Sequence, residues 1–457
     1  MNRMSKWLLL FVTVILLFSL SGCTAIGIDV ENQMHPPKNN GEQELLQEAL
    51  DTYISQNNIT QYSLKYPSGG NYLSAFILLS DLQPPTYVST STQETVTHYT
   101  GAEDFCIAFY QPDMEGANTH IHLLRNIEGE WVSVSDIEGR GSTLAQVDFA
   151  DLDGDSFPEL LIGWNLYNTK DRILYVYSIN NTLKELSTTE IYTSMVVSDL
   201  TADGADDLLL LTIDPITDLL SANLFSYRSQ KLSVVGWTVV DTDVLSIGDS
   251  LMSIFADNTR GVFVDVYKEP NATVTQLLIW KDEFLQSPFY SSSEPTNSLT
   301  ARPFLLNCRD VDEDGIVEWP VVSDLQDDNL TATNVCWETQ WYYYDIIRNK
   351  ILFDFDSVVN TNDGYVLKLT DAFPKEFTVV YDEENHIADF VATDKNGDAE
   401  SSSRSFLKIQ TTTSNKKTEL PDGFTFFDSS DSLYFSVWYS EELTVTMEEI
   451  RYLFSLI

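Results

Sequence analysis

The stretch Asp310-Val311-Asp312-Glu313-Asp314-Gly315-Ile316-Val317-Glu318 has acidic side chains at positions 1, 3, 5 and 9 and glycine at position 6. Ca²⁺ takes about six to eight oxygen ligands, and a loop that offers every second side chain can wrap around the ion. The backbone carbonyl of position 7 supplies one more oxygen. The stretch therefore predicts a calcium-binding loop with Asp310, Asp312, Asp314, Ile316 and Glu318 as ligands.

Two upstream stretches repeat this spacing, DLDGDSFPEL from Asp151 and DLTADGADDL from Asp199. We call residues 151–159 loop 1, residues 199–207 loop 2 and residues 310–318 loop 3. Loop 1 has Ser156 at the glycine position and loop 2 has the neutral Thr201 at position 3, so we expect loop 3 to bind Ca²⁺ best. The ligands predicted for the first two loops are Asp151, Asp153, Asp155, Phe157 and Glu159, and Asp199, Thr201, Asp203, Ala205 and Asp207.

An apolar segment follows each loop, namely residues 160–164, 208–211 and 319–322. Because these short apolar segments resemble strands, each loop is expected to lead into a β-strand rather than into the helix of an EF-hand. Three copies of a loop followed by a strand indicate a repeated β-sheet unit.

These motifs resemble the FG-GAP or VCBS repeats, which carry D-x-D-x-D-G-x-x-[DE]-L at the start of a strand in β-propellers such as the head of the integrin α-subunit. The resemblance covers the three loops well and the rest of each repeat by pattern only. It departs from the family at Ser156, where glycine is usual, and at Thr201. The resemblance implies a β-propeller whose loops hold structural Ca²⁺.

Tight hairpin turns recur along the chain about every 50 residues, and the acidic loops follow the same spacing. We expect degenerate copies of the loop near Ile247-Gly248-Asp249 and near Asp81, where a Ser/Thr-rich insert (residues 84–100) interrupts the unit. This period favours an all-β fold, a β-propeller of about six to seven four-stranded blades. The predicted turns are Glu128-Gly129, Asn180-Asn181, Ser229-Gln230, Asp282-Glu283 and Arg348-Asn349.

The N-terminus has the pattern of a bacterial lipoprotein signal peptide. Arg3 and Lys6 precede a 14-residue apolar run, which is too short for a typical membrane span, and Leu20-Ser21-Gly22-Cys23 closes it. We therefore expect cleavage before Cys23 and acylation of that cysteine, which would anchor the chain to the extracytoplasmic side of a bacterial membrane.

The predicted organisation has four parts. Residues 1–22 are the signal peptide, and residues 23–62 are the acylated cysteine, a polar spacer and a helix capped at Asn40. Residues 63–363 are the propeller blades. Residues 364–457 are either irregular blades that close the ring, which we favour, or a small α+β appendage, and they end in a short helix with a capping box at Thr446 and Glu449.

The charge of the chain limits its partners. The net charge is −43, and it becomes −45 when the signal peptide with Arg3 and Lys6 is removed. A surface this acidic repels polyanions and has no basic cluster, so nucleic-acid binding is excluded. Among the cysteines, Cys308 and Cys336 either pair in a disulfide or are buried free thiols, and the sequence leaves both alternatives open.

No constellation for covalent catalysis emerges from the sequence. His120 and His122 share one face of a strand, but two histidines are only half of a zinc site. Two functions remain: a binding protein for an unknown protein or glycan ligand, which we favour, and a polysaccharide-acting hydrolase or lyase with its site at the propeller channel. Two acids and an aromatic side chain at the channel mouth would favour the enzyme.

Overall fold

The computed structural model describes residues 41–83, 85–90, 99–141, 143–166, 169, 171–186, 190–228, 231–268, 272–293, 299–322, 335–393, 404–413, 420–430 and 432–457. The predicted signal peptide, Cys23, the polar spacer and the turn at Ser229-Gln230 lie outside these residues. The described chain folds mainly into β-strands, with α1 (Gly41–Gln56) and α2 (Met447–Leu453) near its two ends. The prediction of an all-β fold with one N-terminal and one C-terminal helix is therefore confirmed.

Six sheets form in order along the chain, and within each sheet the main strands follow one another as antiparallel hairpins. In the first sheet, Glu128 and Gly129 both have positive φ angles and form the predicted tight turn. Sheet 1 consists of β1 (Tyr62–Leu64), β2 (Phe76–Leu78), β4 (Phe105–Pro112), β5 (His120–Ile127) and β6 (Glu130–Glu138). Sheet 2 consists of β7 (Leu144–Ala150), β8 (Glu159–Asn165), β9 (Arg172–Ile179), β10 (Leu183–Glu185) and β11 (Glu190–Tyr192).

Sheets 3 and 4 form the middle part of the fold. Sheet 3 consists of β12 (Ser194–Ser198), β13 (Asp207–Ile213), β14 (Leu220–Arg228) and β15 (Lys231–Asp241). Sheet 4 consists of β3 (Val88–Ser89), β16 (Ser246–Ile254), β17 (Arg260–Tyr267), β18 (Thr273–Lys281), β19 (Phe284–Gln286) and β20 (Ala301–Arg302). The short strand β3 pairs in parallel with β16, so it joins a sheet far from its neighbours in sequence.

Sheets 5 and 6 form the C-terminal part of the fold. Sheet 5 consists of β21 (Glu318–Val322), β22 (Cys336–Asp345), β23 (Lys350–Asn360), β24 (Tyr365–Lys368) and β30 (Phe454–Leu456). Sheet 6 consists of β25 (Phe377–Asp382), β26 (Ile387–Ala392), β27 (Arg404–Thr413), β28 (Thr425–Ser429) and β29 (Leu433–Tyr439). Two strands of the predicted C-terminal region, β24 and β30, thus complete sheet 5. The predicted capping box of Thr446 and Glu449 starts α2.

Neighbouring sheets share hydrophobic cores in chain order. Five clusters of buried side chains join sheet 1 to sheet 2, sheet 2 to sheet 3, sheet 3 to sheet 4, sheet 4 to sheet 5 and sheet 5 to sheet 6. Strands such as β8 and β17 are therefore buried on both faces, since Leu160 to Trp164 and Gly261 to Val266 are all buried. The sheets pack as a series in which each contributes one face to each neighbour.

The other face of sheet 1 is covered by α1. Leu46 packs on Cys106, Ala108 and Leu124 of this sheet, and Leu50 and Ile54 pack on its Tyr110. Among the described residues, no core cluster joins sheet 1 to sheet 5 or sheet 6. The apolar side chains of α1 thus pack on sheet 1, except Leu45, which is 50% exposed.

The acidic loops occupy equivalent places in three sheets. Loop 1 connects β7 to β8 and loop 2 connects β12 to β13, while loop 3 lies between the bridge residue Arg309 and the first residue of β21. The degenerate copy in sheet 4 lies at residues 255–259, between β16 and β17, and not near Ile247-Gly248-Asp249 as predicted. Those residues lie inside β16, because an irregular pairing between Ile247 and Ser250 lets the strand run through them.

The three cysteines within the described residues, Cys106, Cys308 and Cys336, are free thiols. Cys308 is buried, and burial raises the pKa of its thiol well above the ordinary value. Of the two alternatives left open by the sequence, the structure has Cys308 and Cys336 as unpaired cysteines.

Candidate functional site

The three acidic loops share one backbone conformation. Positions 4 and 6 of every loop have a positive φ angle, in the left-handed region that favours glycine. The φ angles are 76° at Gly154 and 69° at Ser156, 57° at Ala202 and 96° at Gly204, and 61° at Glu313 and 85° at Gly315. Ser156 therefore adopts the conformation of the usual glycine, so its departure from the motif leaves the shape of loop 1 intact.

The loops also share one pattern of internal hydrogen bonds. The carboxylate of position 1 accepts from the amides of positions 5 and 6, and the carboxylate of position 5 accepts from the amide of position 7. Asp151 accepts from Asp155 N at 3.0 Å and Ser156 N at 2.8 Å, Asp199 from Asp203 N and Gly204 N at 3.0 Å each, and Asp310 from Asp314 N at 3.0 Å and Gly315 N at 2.9 Å. Asp155, Asp203 and Asp314 accept from Phe157 N at 2.8 Å, Ala205 N at 3.1 Å and Ile316 N at 2.8 Å. These amides orient the carboxylates and leave further lone pairs for other partners.

Loop 3 brings all four of its predicted carboxylates together. Asp310, Asp312, Asp314 and Glu318 each have an oxygen within 4.8 Å of the others. Glu318 is fully buried, and its Oε2 accepts from Val311 N at 3.0 Å, while its Oε1 has no hydrogen-bond partner. Burial and the neighbouring carboxylates raise the pKa of Glu318 to about 9. An unpartnered buried carboxylate oxygen is costly, so this cluster fits a bound cation.

Loop 1 brings together three of its four predicted carboxylates. Oxygens of Asp151, Asp153 and Glu159 lie within 4.8 Å of one another, and Asp155 is not part of this cluster. Glu159 Oε2 accepts from Leu152 N at 2.9 Å, as Glu318 does from the equivalent amide in loop 3. Burial and the other carboxylates of the loop raise the pKa of Glu159 to about 8.

A basic side chain from sheet 4 is paired with loop 2. The guanidinium of Arg260, the first residue of β17, forms an ion pair with Asp199 Oδ2 and donates to the Asp199 carbonyl at 2.8 Å. Two predicted ligand atoms of this loop, Thr201 Oγ1 and Asp207 Oδ1, are buried without a hydrogen-bond partner. Burial raises the pKa of Asp207 to about 6. Loop 2 thus combines a built-in countercharge with oxygens that still lack a partner.

Sequence reasoning missed Arg260, because its partner Asp199 lies 61 residues away. The residue at the start of the strand after each loop is a sequence signal for Arg260. Each loop ends in a carboxylate that is the first residue of the following strand, namely Glu159, Asp207 or Glu318, and in sheet 4 this position is Arg260. The shortened loop of sheet 4 has therefore exchanged its last carboxylate for a basic side chain that reaches the neighbouring loop.

Two further residues next to the loops were not predicted. Asp206 joins loop 2 to loop 1, because its amide donates to the Asp151 carbonyl at 2.7 Å and its Oδ2 accepts from Asp151 N at 2.9 Å. Burial raises the pKa of Asp206 to about 7. Lys368 of β24 forms an ion pair with Asp312 of loop 3. Neither residue has a sequence signal that distinguishes it from other charged residues of this chain.

The predicted insert contacts all three loops. The Tyr87 hydroxyl accepts from Asp199 N at 2.9 Å, and Thr100 N donates to the Ser156 carbonyl at 2.8 Å. A Cβ atom added to Gly315 would lie 2.3 Å from the Ser89 carbonyl oxygen, so loop 3 packs closely on β3. The described parts of the insert thus connect loops that belong to three different sheets.

The donor set of the loops fits Ca²⁺ in loops 1 and 3. All ligands are hard oxygen atoms, which this ion prefers, and three or four carboxylates meet at each centre. The Oε1 atom of Glu318 needs a positive partner that the described residues do not supply. Coordination by the carbonyls of Phe157, Ala205 and Ile316 stays a prediction.

His120 and His122 meet at a carboxylate. His120 Nδ1 lies 2.7 Å from Asp136 Oδ2, and His122 Nδ1 lies 2.9 Å from Asp136 Oδ1. The Tyr110 hydroxyl donates to the same carboxylate at 3.1 Å. Burial opposes ionisation of Asp136, but the histidine hydrogen bonds outweigh it and lower the pKa to about 2. This network holds sheet 1 together beneath α1 and has no third metal ligand among the described residues.

A polar cavity of about 600 Å³ lies where β7, β12 and β16 approach one another, and we call it the axial pocket. Residues 70–72 close it on a further side, together with Gln83, Pro85 and Thr86. It contains two carboxylates, Asp148 and Asp249, together with the aromatic ring of Tyr72. Asp148 is 5% exposed, and burial raises its pKa above the ordinary value despite hydrogen bonds from Gln146 and Asn71. Sequence reasoning named Asp249 only as part of a degenerate loop copy, and it did not name Asp148 or Tyr72.

No protein-family model matches this chain, and no curated protein matches it. Solved structures that align with it include the rhamnogalacturonan lyase YesW, at 13% identity and a TM-score of 0.30 over 75% of this chain and 87% of that chain. A rhamnogalacturonan lyase of Bacillus licheniformis aligns at 12% identity and 0.30 over 84% and 90%. Sqt1 of Saccharomyces cerevisiae aligns at 9% identity and 0.30 over 82% and 99%. At these TM-scores, the function has to be argued from the residues of the chain itself.

Neither α1 nor α2 is long and apolar enough for a membrane span, and no other helix of the described residues is.

Proposed function

We propose that this chain is a lipid-anchored, calcium-stabilised β-propeller of the FG-GAP or VCBS type that binds a ligand on the extracytoplasmic side of a bacterial membrane. The observation that carries this proposal is loop 3. Four carboxylates meet there, and one fully buried carboxylate oxygen, Glu318 Oε1, has no partner among the described residues. Repetition of the same φ angles and hydrogen bonds in loops 1 and 2 supports a common ancestry of the three units.

The six sheets are the blades of the proposed propeller. Support comes from the shared cores between consecutive sheets and from the similar position of the three loops. Loops 1 and 2 precede the second strand of their sheets, and loop 3 follows the bridge residue Arg309 and precedes β21. Six sheets agree with the expected six to seven blades. In this arrangement α1 covers the face of the first blade that does not pack on sheet 2. Residues 364–457 add the last strands of sheet 5, all of sheet 6 and α2.

Calcium acts in this proposal as a structural ion. Without it, three or four carboxylates of one loop repel one another at short range in a chain of net charge −43. Bound Ca²⁺ would supply the positive charge that the buried glutamates of loops 1 and 3 lack. In loop 2, Arg260 already provides part of this charge, so the order of calcium dependence is expected to be loop 3, loop 1 and then loop 2.

The calcium response should therefore differ between the two position 3 variants Asp312→Ala and Thr201→Ala. Extracellular loops bind Ca²⁺ with Kd values of about 10⁻⁴ to 10⁻³ M. At about 3 mM Ca²⁺ each site then adds roughly 1–2 kcal/mol of stability, if only the folded state binds. Asp312→Ala removes a charged ligand that pairs with Lys368, so it should abolish most of the loop 3 contribution. Thr201→Ala should leave the response almost unchanged.

The measurement is the shift in melting midpoint between excess chelator and about 3 mM Ca²⁺. This concentration is about tenfold above the middle of the Kd range for this class of loop. Both variants should melt near the parent protein in chelator, which separates a lost ion from a damaged fold. An equal calcium response in Asp312→Ala and in the parent would contradict the assignment of Asp312 as a ligand.

The lipid anchor gives a separate prediction. Cys23→Ser removes the thiol that would carry the acyl chains, so the variant should move from the membrane fraction to the aqueous phase of a detergent extraction. A control variant, Ser21→Ala, keeps the thiol and should stay with the membranes. Recovery of Cys23→Ser in the membrane fraction would reject the lipoprotein interpretation.

A second candidate function, a polysaccharide-acting hydrolase or lyase, is favoured by the axial pocket. Asp148 and Asp249 line it together with Tyr72, and a carboxyl group of raised pKa beside a second carboxylate suits general acid and base chemistry. Incubation of the chain with polysaccharides, with release of new sugar ends as the readout, tests this role. Turnover that Asp249→Asn abolishes would establish the enzyme, and absence of turnover with intact binding would leave the binding protein.

A further inference from the structure

The axial pocket has the properties of a binding site for a small polar molecule. Its volume of about 600 Å³ falls within the range of roughly 300–1,000 Å³ that is usual for small-molecule pockets. Strands β7, β12 and β16 of sheets 2, 3 and 4 form most of its walls, so Gln146, Asp148 and Ser250 stand on paired strands. A site on such a scaffold keeps its shape without the ligand.

We infer that the axial pocket binds an uncharged saccharide unit. This inference deepens the proposed function by naming the class of ligand, and it rests on the proposed role of the chain as a binding protein. It does not require calcium at any of the three loops.

The charge of the pocket excludes anionic ligands. Among the described residues, Asp148 and Asp249 are the carboxyl groups of its lining, and no lysine, arginine or histidine lines it. Arg172 lies behind the lining residue Gln146, and its Nη1 donates to Gln146 Oε1 at 3.2 Å and to the Thr193 carbonyl at 3.4 Å. A uronate or a sulfated sugar would therefore enter a negative pocket in a negative protein.

The hydrogen-bonding groups of the pocket match hydroxyl groups, which both donate and accept. Asp148 accepts from Gln146 Nε2 at 2.6 Å and from Asn71 N at 3.3 Å, and its remaining lone pairs can accept from a sugar hydroxyl. The Tyr72 hydroxyl accepts from Gln83 N at 3.1 Å, so its own hydrogen is directed to another acceptor. Ser250 Oγ is buried and has no partner among the described residues.

This combination distinguishes a sugar from an amine. An ammonium group only donates hydrogen bonds, and it would leave the hydrogens of Tyr72 and Ser250 without an acceptor. The carboxylates of the pocket also already have neutral partners, since both oxygens of Asp148 accept hydrogen bonds and Asp249 Oδ2 accepts from Asn307 Nδ2. A ring with several hydroxyl groups can satisfy the two carboxylates and the two hydroxyls together, and its apolar face can pack on Met195, Met252 and Phe149.

The test uses the chain without residues 1–23, applied to a glycan array that contains neutral, uronate-bearing and sulfated glycans, with calorimetry on the best neutral glycan. We expect binding to neutral glycans. Asp249→Asn and Asp148→Asn should each weaken it about tenfold or more, since a hydrogen bond to a charged group is worth roughly 1.5–3 kcal/mol. Asp371→Asn, a change of the same type at an exposed acid outside the pocket, should leave affinity unchanged.

Asp249 is exposed, so its variant should fold even if Asp148→Asn does not. Binding restricted to uronate or sulfated glycans would overturn the inference, as would no binding to any glycan or full affinity in Asp249→Asn. Spermidine is titrated in the same calorimetry, and binding of spermidine in place of sugar would also overturn the inference. A calcium-dependent melting shift without glycan binding would reject this inference and keep the calcium-stabilised scaffold. Neutral glycan binding without a calcium-dependent melting shift would support this inference and reject the calcium-stabilised scaffold.

Discussion

Replacing Arg302 with methionine is expected to lower the free energy of unfolding by about 3–5 kcal/mol, the usual cost of removing one partner of a buried ion pair. The side chains of Arg302 and Asp265 are both fully buried, and Arg302 Nη2 lies 2.9 Å from Asp265 Oδ1. The guanidinium also donates to the Leu306 carbonyl at 2.5 Å and to Thr275 Oγ1 at 2.9 Å. Methionine would leave the Asp265 charge buried without its cation.

The effect should extend to loop 3. Asp265 Oδ2 accepts from Cys308 N at 2.7 Å, so the ion pair fixes the segment that leads into Asp310. Urea denaturation of the variant measures the loss of stability, and Arg404→Met is the matched control, because Arg404 and its partner Glu442 are 71% and 80% exposed. The control should unfold at nearly the parent midpoint. The double variant Arg302→Met with Asp265→Leu should recover part of the loss, and a single variant as stable as the control would contradict the argument.

Gly315→Ala is expected to destabilise the chain by about 2–5 kcal/mol, whereas Gly204→Ala should cost only about 1–2 kcal/mol. Both glycines occupy position 6 of a loop, with φ angles of 85° and 96°, so both substitutions impose the strain of a left-handed residue. They differ in their surroundings. A Cβ at Gly315 would lie 2.3 Å from the Ser89 carbonyl oxygen, while a Cβ at Gly204 would meet nothing within 4 Å.

The pair of variants thus isolates the contact between loop 3 and β3 from the strain that both share. Denaturation midpoints of the two variants provide the measurement. Gly315→Ala should also weaken the calcium response, because β3 and loop 3 cannot both keep their positions. Equal midpoints would mean that the backbone of β3 shifts without a loss of stability. The close packing of loop 3 on β3 would then contribute nothing to the free energy of unfolding.

The spacing of the acidic residues was sufficient to locate all three loops. Alternating carboxylates with a glycine at position 6 specify a local conformation, and the φ angles and internal hydrogen bonds of the loops follow from nine consecutive residues. Tight turns such as Glu128-Gly129 were likewise predictable, since two adjacent residues determine them. Local chemistry of this kind depends little on the rest of the fold.

Long-range partners were not predictable from the sequence. Arg260 reaches Asp199 across two sheets, and Lys368 reaches Asp312 over 56 residues. The axial pocket also depends on how β7, β12, β16 and the segment before β3 come together, and the periodicity of the sequence does not specify this. The misplaced degenerate copy has a physical cause of the same kind, because the pairing irregularity between Ile247 and Ser250 keeps a turn-like stretch within β16.

The most direct test of the proposed role of the loops is the melting curve of the chain without residues 1–23, on protein verified to be metal-free. We expect the midpoint to rise by several degrees between excess chelator and about 3 mM Ca²⁺, since loops 1 and 3 together should add roughly 2–4 kcal/mol. The same concentration of Mg²⁺ should give a smaller shift, because Mg²⁺ demands a tighter octahedral site. Identical midpoints in chelator and in Ca²⁺ would contradict the calcium role of loops 1, 2 and 3.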